Sequence, residues 1–161
     1  SIFGPPEGVF ARLFNQRQGS VTDDSFDLKL IYPDLNVTLK ASVFVKEPGP
    51  CLQVHGTQGS FVKYGLGVQE AQLRKGKKPG SKGFGTEPAS QLGVLNTTTF
   101  GKSFRGRYET LPGNYMAFFD NVHAVITAAA EAMVKPGDAL LNVRIIEAAR
   151  TSNSQQRIIQ L

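Results

Sequence analysis

Residues 42–65, SVFVKEPGPCLQVHGTQGSFVKYG, decide the fold class. The stretch predicts three short strands joined by turns. Residues 42–46 have strand composition and stop at Glu47-Pro48-Gly49-Pro50, where two prolines remove backbone donors. Residues 51–55 resume an extended pattern. Gly56-Thr57-Gln58-Gly59 is a turn tetrad, its glycines open to positive φ angles that L-residues avoid. Residues 60–64 return as the partner strand. Antiparallel hairpins of this kind build an open sheet, and a parallel βαβ crossover is excluded here.

The neighbouring segments continue the pattern. Residues 7–17 alternate, with Val9, Ala11, Leu13 and Asn15 on one side and Phe10, Arg12, Phe14 and Gln16 on the other. Residues 26–32 and 36–45 form a hairpin around Pro33-Asp34-Leu35. Phe26, Leu28, Leu30 and Tyr32 share one face, as do Val37, Leu39, Ala41, Val43 and Val45. Past Gly65 the pattern weakens. Residues 68–75 predict a short helix, and the Gly-, Lys- and Ser-rich segment after it reads as a long exposed loop. Residues 95–100 and 104–110 predict a last hairpin turning near Gly101-Lys102. Two helices follow, with Pro112 and Pro136 at their first positions. The first carries Tyr115, Met116, Phe119, Val122, His123 and Ile126 at helical spacing. The second carries a stripe of Ala139 or Leu140, Val143, Ile146 and Ala149 or Arg150, with Asp138 in a first turn favoured by the helix dipole. Residues 157–161 add an edge strand. Strands first and helices later predict an α+β fold: an open-faced, mainly antiparallel sheet with helices packed on one face.

A chain of 161 residues is expected to be a single domain, residues 1–161. Its one cysteine, Cys51, permits no internal disulfide and fits a reducing, cytoplasmic setting. No apolar run approaches the length needed to span a bilayer. The net charge of +5 is mild, and no aromatic-basic repeat accompanies it, which argues against nucleic acid as a partner. The chain opens on a turn without Met, which predicts a piece of a longer polypeptide.

Little of the chain carries reaction chemistry by itself. His55 and His123 stand far apart, and with one cysteine they make no zinc pattern, so no metal site is expected. Asp23-Asp24 could do acid–base work, yet before a strand such a pair reads more simply as a solvated connection. No GxGxxG opens a helix after a strand, so the chain by itself binds no dinucleotide in the Rossmann manner. One segment, residues 74–85, gathers cations, glycines and an aromatic. Lysines meet phosphate as point charges, and glycines let a ligand approach the backbone. The competing reading is a mobile, solvated basic loop.

The wording of several segments is itself informative. VHGTQGSFVKYG (residues 54–65) followed by QEAQLRKGKKPG (69–80) resembles the C-terminal domain of the Gfo/Idh/MocA family of NAD(P)-dependent oxidoreductases. EGVFARLFNQRQGSVTDDSFDLKLIYPDLNVTLKAS (7–42) is similar to the first strands of that domain. YETLPGNYMAFFDNVHAVI (108–126) is similar to its penultimate helix, and DALLNVRIIEAARTSNSQQRIIQL (138–161) to its last helix and closing strand. The resemblance implies a preceding Rossmann domain that binds NAD or NADP. It implies a catalytic lysine in an EKP-like motif and a catalytic histidine in a D-x-x-x-H element, and this sequence contains neither. No catalytic residue is therefore carried over. The resemblance does imply cofactor-side contacts from Lys78, Lys82, Gly83 and Phe84, in the intact enzyme only. Phe84 stands where relatives often carry Trp.

Two functions follow as expectations. The first is the C-terminal domain of an oxidoreductase acting on a sugar or polyol-like substrate. It would contribute a substrate pocket and a homodimer interface through the sheet, and would be inactive without the Rossmann half. The alternative is a stand-alone, self-associating binding module without catalysis.

Overall fold

The computed structural model describes residues 2–161. In chain order its elements are β1 (Gly8–Phe14), β2 (Ser25–Ile31), β3 (Asn36–Ser42), β4 (Leu52–Gly56), β5 (Gly59–Lys63), α1 (Gln69–Arg74), β6 (Gly93–Thr99), β7 (Lys102–Tyr108), α2 (Tyr115–Ala128), α3 (Pro136–Gln155) and β8 (Ile159–Gln160). A single 3₁₀ turn, Ala89–Gln91, precedes β6. The fold is α+β, as expected, but its strands divide between two four-stranded antiparallel sheets. The chain forms two compact units: one from the residues up to Lys46 together with Val134–Leu161, the other from Glu47–Met133.

In the first unit the sheet order is β3-β2-β1-β8. The predicted faces hold: Leu13 lies opposite Phe26 and Phe26 opposite Ala41, while Ala11, Leu28 and Leu39 form the next row. Val9, Ala11 and Leu28 join Ala148 and Ala149 of α3 to make the core, with Leu13, Leu30, Ile145, Ile159 and Leu161 packed against it. α3 therefore covers the Val9–Ala11–Leu13 face, and Phe10, Arg12 and Phe14 point away from it. Strand β8 pairs β1 only at Gly8 and Val9. Beyond it, α3 completes the edge: Ser152 Oγ accepts from the Ala11 N–H at 3.0 Å and Asn153 Oδ1 from the Leu13 N–H at 3.0 Å. An edge strand's buried donors need such partners.

Other expectations change as well. Residues 42–46 are not a strand: β3 ends at Ser42, whose hydroxyl takes the Phe44 N–H, and the Val43 N–H donates back to the Asp24 carbonyl. Pro112 does not open α2. The helix begins at Tyr115, capped by Asn114, whose side chain accepts from the Ala117 N–H at 3.2 Å. Pro136 does hold the first position of α3. The packed seam of that helix, however, is Ile145, Ala148, Ala149 and Ser152, while Leu140, Val143 and Ile146 remain half exposed. Small residues let the α3 backbone approach β1 closely, whereas the bulkiest stripe cannot.

In the second unit the sheet order is β4-β5-β6-β7. Thr57-Gln58 turn β4 into β5, close to where the glycine tetrad predicts, and Phe100-Gly101 turn β6 into β7. Expected to be packed, α2 instead leaves Tyr115, Phe118, Phe119, Val122 and Ile126 exposed.

Candidate functional site

The basic loop leaves α1 and returns to β6 within the second unit. The end of α1 tightens where Lys75, Gly76 and Lys77 donate their N–H groups to the carbonyls of Ala71, Leu73 and Gln72. The chain then turns twice. Lys78 O accepts from the Ser81 N–H and hydroxyl, and Ser81 O accepts from the Phe84 N–H at 2.9 Å. Gly83 and Gly85 have φ of +72° and +78°, in the left-handed region that favours glycine. Gly85 has a second reason to be glycine. Its N–H donates to Gln72 Oε1 at 2.8 Å and its carbonyl accepts from the Gly113 N–H at 3.1 Å, so close that a Cβ would strike the Gly113 carbonyl.

Of the predicted cofactor-side residues, the structure brings Phe84 to a defined place. With Gly80 and Ser81 it lines a shallow cleft whose opposite wall is Pro112, Gly113 and the α2 cap Asn114. Lys78 and Lys82 are exposed and do not line that cleft, and Gly83 shapes the turn behind it. The half of the loop around Lys78 is solvated, whereas the half from Phe84 to Glu87 is tied down.

Those ties come from residues that the sequence alone did not single out. Gln69, buried in the first turn of α1, accepts from the Tyr115 N–H at 2.9 Å and so joins α1 to the start of α2. Lys63 of β5 donates to both Glu87 carboxylate oxygens at 2.8 and 2.7 Å and to the Gln91 carbonyl at 3.0 Å. Thr110 donates its hydroxyl to the same carboxylate at 2.5 Å. The side chains of the ion pair are only 15% and 7% exposed. The Lys63 hydrogen bond, then that of Thr110, holds the Glu87 carboxyl below its ordinary value against the opposing effect of burial. A hint was present in β5, where Lys63 falls on the same face as Phe61. Its partner 24 residues on was not legible, because loop pairings follow no period.

The other candidates are structural. His55 is exposed on β4, its Nδ1 at 2.8 Å from the Ser60 hydroxyl, and His123 is exposed on α2. Asp24 accepts from the N–H groups of Gln16 and Arg17 and from Arg17 Nε at 2.6, 3.0 and 3.0 Å, closing the β1–β2 connection. The Gln16 N–H is the main reason that its carboxyl sits below the usual range. Among the described residues no group of three or more His, Cys, Asp or Glu side chains could hold a metal ion, and no helix is long and apolar enough to cross a membrane.

Comparison with known proteins places this architecture. Residues 1–161 match the family described as the oxidoreductase family, C-terminal alpha/beta domain. The chain belongs to the Gfo/Idh/MocA oxidoreductase family. It is 34% identical over 163 residues to the scyllo-inositol 2-dehydrogenase (NADP(+)) IolW of Bacillus subtilis, covering 99% of this chain and 45% of that protein. The uncharacterized oxidoreductase YhhX of Escherichia coli is 34% identical over 148 residues, 91% of this chain and 42% of that one. The crystal structure of an oxidoreductase from Bacillus cereus superposes with a TM-score of 0.88 at 32% identity, covering 99% of this chain and 47% of that one. This Gfo/Idh/MocA chain thus spans about half the length of the curated relatives it matches. Its two sheets and three helices are the fold of the family's C-terminal domain.

Proposed function

We propose that this chain is the substrate-side and assembly domain of an NAD(P)-dependent oxidoreductase acting on a sugar or polyol-like substrate. It would work only when joined to a Rossmann domain that holds NAD or NADP. The observation that carries the reading is the family match over residues 1–161, with relatives about twice as long. The polyol class is supported by the Bacillus subtilis relative, a scyllo-inositol 2-dehydrogenase that uses NADP(+). A bound nicotinamide supplies the hydride chemistry. The contribution of this chain is to bind and orient. Phe84 offers an apolar face beside the start of α2, Gly83 and Gly85 hold the turn that presents it, and Lys78 and Lys82 offer solvated cations to an anionic group. With no EKP or D-x-x-x-H element, this chain supplies neither the lysine nor the histidine that would move a proton. The same reading places the protein in the cytoplasm and makes it a homodimer through the outer face of the β3-β2-β1-β8 sheet.

A chimera tests this. Joining the unmatched half of the Bacillus subtilis relative to this chain should give NADP(+)-dependent oxidation of scyllo-inositol or another polyol. Phe84→Ala in the chimera should raise KM several-fold. The isolated chain should neither turn over polyols nor quench NADPH fluorescence. A folded chimera inactive on every polyol of a panel would sink the substrate class. Micromolar NADPH binding by the isolated chain would overturn the proposed division of labour.

A further inference from the structure

The short helix α1 buries an amide and leaves a leucine out. Of its six residues only Gln69 is buried, at 8% exposure, while Leu73 is 39% exposed. A helix placed by the hydrophobic effect turns its leucine inward. A buried amide costs free energy unless its polar atoms find partners, so hydrogen bonding is what fixes the orientation of α1. Gln69 and Gln72 stand three residues apart and share one face of the helix.

Each glutamine holds one wall of the cleft that carries Phe84. On the loop side, Gln72 Oε1 accepts from the Gly85 N–H at 2.8 Å and Gln72 Nε2 donates to the Gly83 carbonyl at 3.4 Å. One amide thus grips the backbone on both sides of Phe84. On the α2 side, Gln69 Oε1 accepts from the Tyr115 N–H at 2.9 Å, one residue after Asn114 of the opposite wall. Bare backbone is stacked between the two amides. The Gly85 carbonyl accepts from the Gly113 N–H at 3.1 Å, a Cβ on Gly85 would strike the Gly113 carbonyl, and a Cβ on Gly113 would strike the Gln69 side-chain amide. Packing this close leaves no slack between the walls. Every member of the stack lies in the second unit, so the cleft is set without help from the first.

We propose that Gln69 and Gln72 are positioning residues, which act through the backbone of Gly83, Gly85 and Tyr115 to hold Phe84 and Asn114 at a fixed separation for the molecule bound between them. The proposal rests on the reading of the Phe84 cleft as ligand-facing. Its consequence is pre-organisation. An aromatic wall that is already ordered loses little freedom when a ligand arrives, so the two amides contribute to binding and not to the chemical step.

The chain has no tryptophan, so Phe84→Trp places a single indole reporter in the cleft. In that background Gln72→Met and Gln69→Met keep the length of the side chain but remove the accepting oxygen. Each should raise acrylamide quenching of the indole about twofold or more and lower its anisotropy, because the freed backbone releases the wall. Gln72→Glu and Gln69→Glu keep an accepting oxygen and should restore both signals. Glu70→Met breaks the exposed pair with Arg74 on the same helix and should change neither. Circular dichroism checks that each variant keeps its fold. An indole indifferent to both methionine variants, or one that responds equally to Glu70→Met, overturns the proposal. In the chimera described above, with Phe84 in place, Gln72→Met should raise KM several-fold and leave kcat nearly unchanged. A fall in kcat at constant KM overturns the positioning role. The fluorescence arm uses neither cofactor nor polyol, so an inactive chimera counts against the oxidoreductase reading while the indole signals still decide the fate of the clamp.

Discussion

At the scale of single residues, two positions carry consequences out of proportion to their size. Phe100 and Gly101 form the two-residue loop between Thr99 and Lys102, with φ of 51° and 73°. Paired positive φ angles define a turn that favours Asn-Gly, and a bulky aromatic is strained at its first position. Phe100 is also 99% exposed and gains nothing from burial. Phe100→Asn is expected to stabilise the protein by about 1 kcal/mol, read as a rise in Tm. Glu87 is the opposite case, an unremarkable residue in sequence on which a loop hangs. Glu87→Gln keeps the shape but leaves the Lys63 ammonium buried without its counter-charge, and is expected to cost about 2 kcal/mol in urea unfolding. The pH dependence has a definite sign. The fold lowers the Glu87 carboxyl below its ordinary value of 4.5, so its contribution is complete above that pH and fades as acid reaches the lowered folded value. Below pH 4.5 the stability of the native chain should therefore fall more steeply than that of Glu87→Gln. Parallel acid limbs would contradict this.

At the scale of elements, α3 shows what periodicity delivers and what it omits. Its existence and its proline start follow from the sequence, but the face it buries does not. Of the stripe that hydrophobic spacing favours, the structure buries Ala149 but leaves Leu140, Val143 and Ile146 half exposed, and it buries Ala148 and Ser152 outside that stripe. The deciding quantity is how closely α3 must approach β1, a tertiary distance that no local pattern encodes. Ser152 is fully buried because it completes the edge of β1, accepting from Ala11 and donating to the Arg157 carbonyl at 2.7 Å. Ser152→Ala is expected to cost about 2 kcal/mol by leaving the buried Ala11 N–H without a partner. Hydrogen exchange should report it locally, as faster exchange at Ala11. Unchanged protection there would show that the Ala11 N–H finds another acceptor.

At the scale of the whole molecule, the sheet of the first unit has one face toward α3 and one turned away. The outward face carries Phe10, Phe14 and Ile31 among charged neighbours: Asp27 pairs with Lys40 at 2.8 Å, and the Arg12 guanidinium sits 5.4 Å from the Phe14 ring centroid. Phe14 is 42% exposed. An apolar patch rimmed by charges of both signs suits a two-fold interface, where each patch meets its own copy. Light scattering is expected to find a dimer at tens of micromolar, weakened by Phe14→Asp with the fold retained. A clean monomer at that concentration would sink the expectation.

The sequence alone determined the strand-then-helix order, the alternating faces of β1, β2 and β3, and the resemblance to a family's C-terminal domain, because these are local periods and wordings that need no partner to be read. It also located the loop carrying Phe84. Only the tertiary structure decided that the strands fall into two sheets, that α3 covers the Val9–Ala11–Leu13 face, and that the loop is held at Gly85 and Glu87 by Gln72, Lys63 and Thr110. Those contacts join residues far apart in the chain. Their energy depends on burial and geometry that exist only once the elements have met.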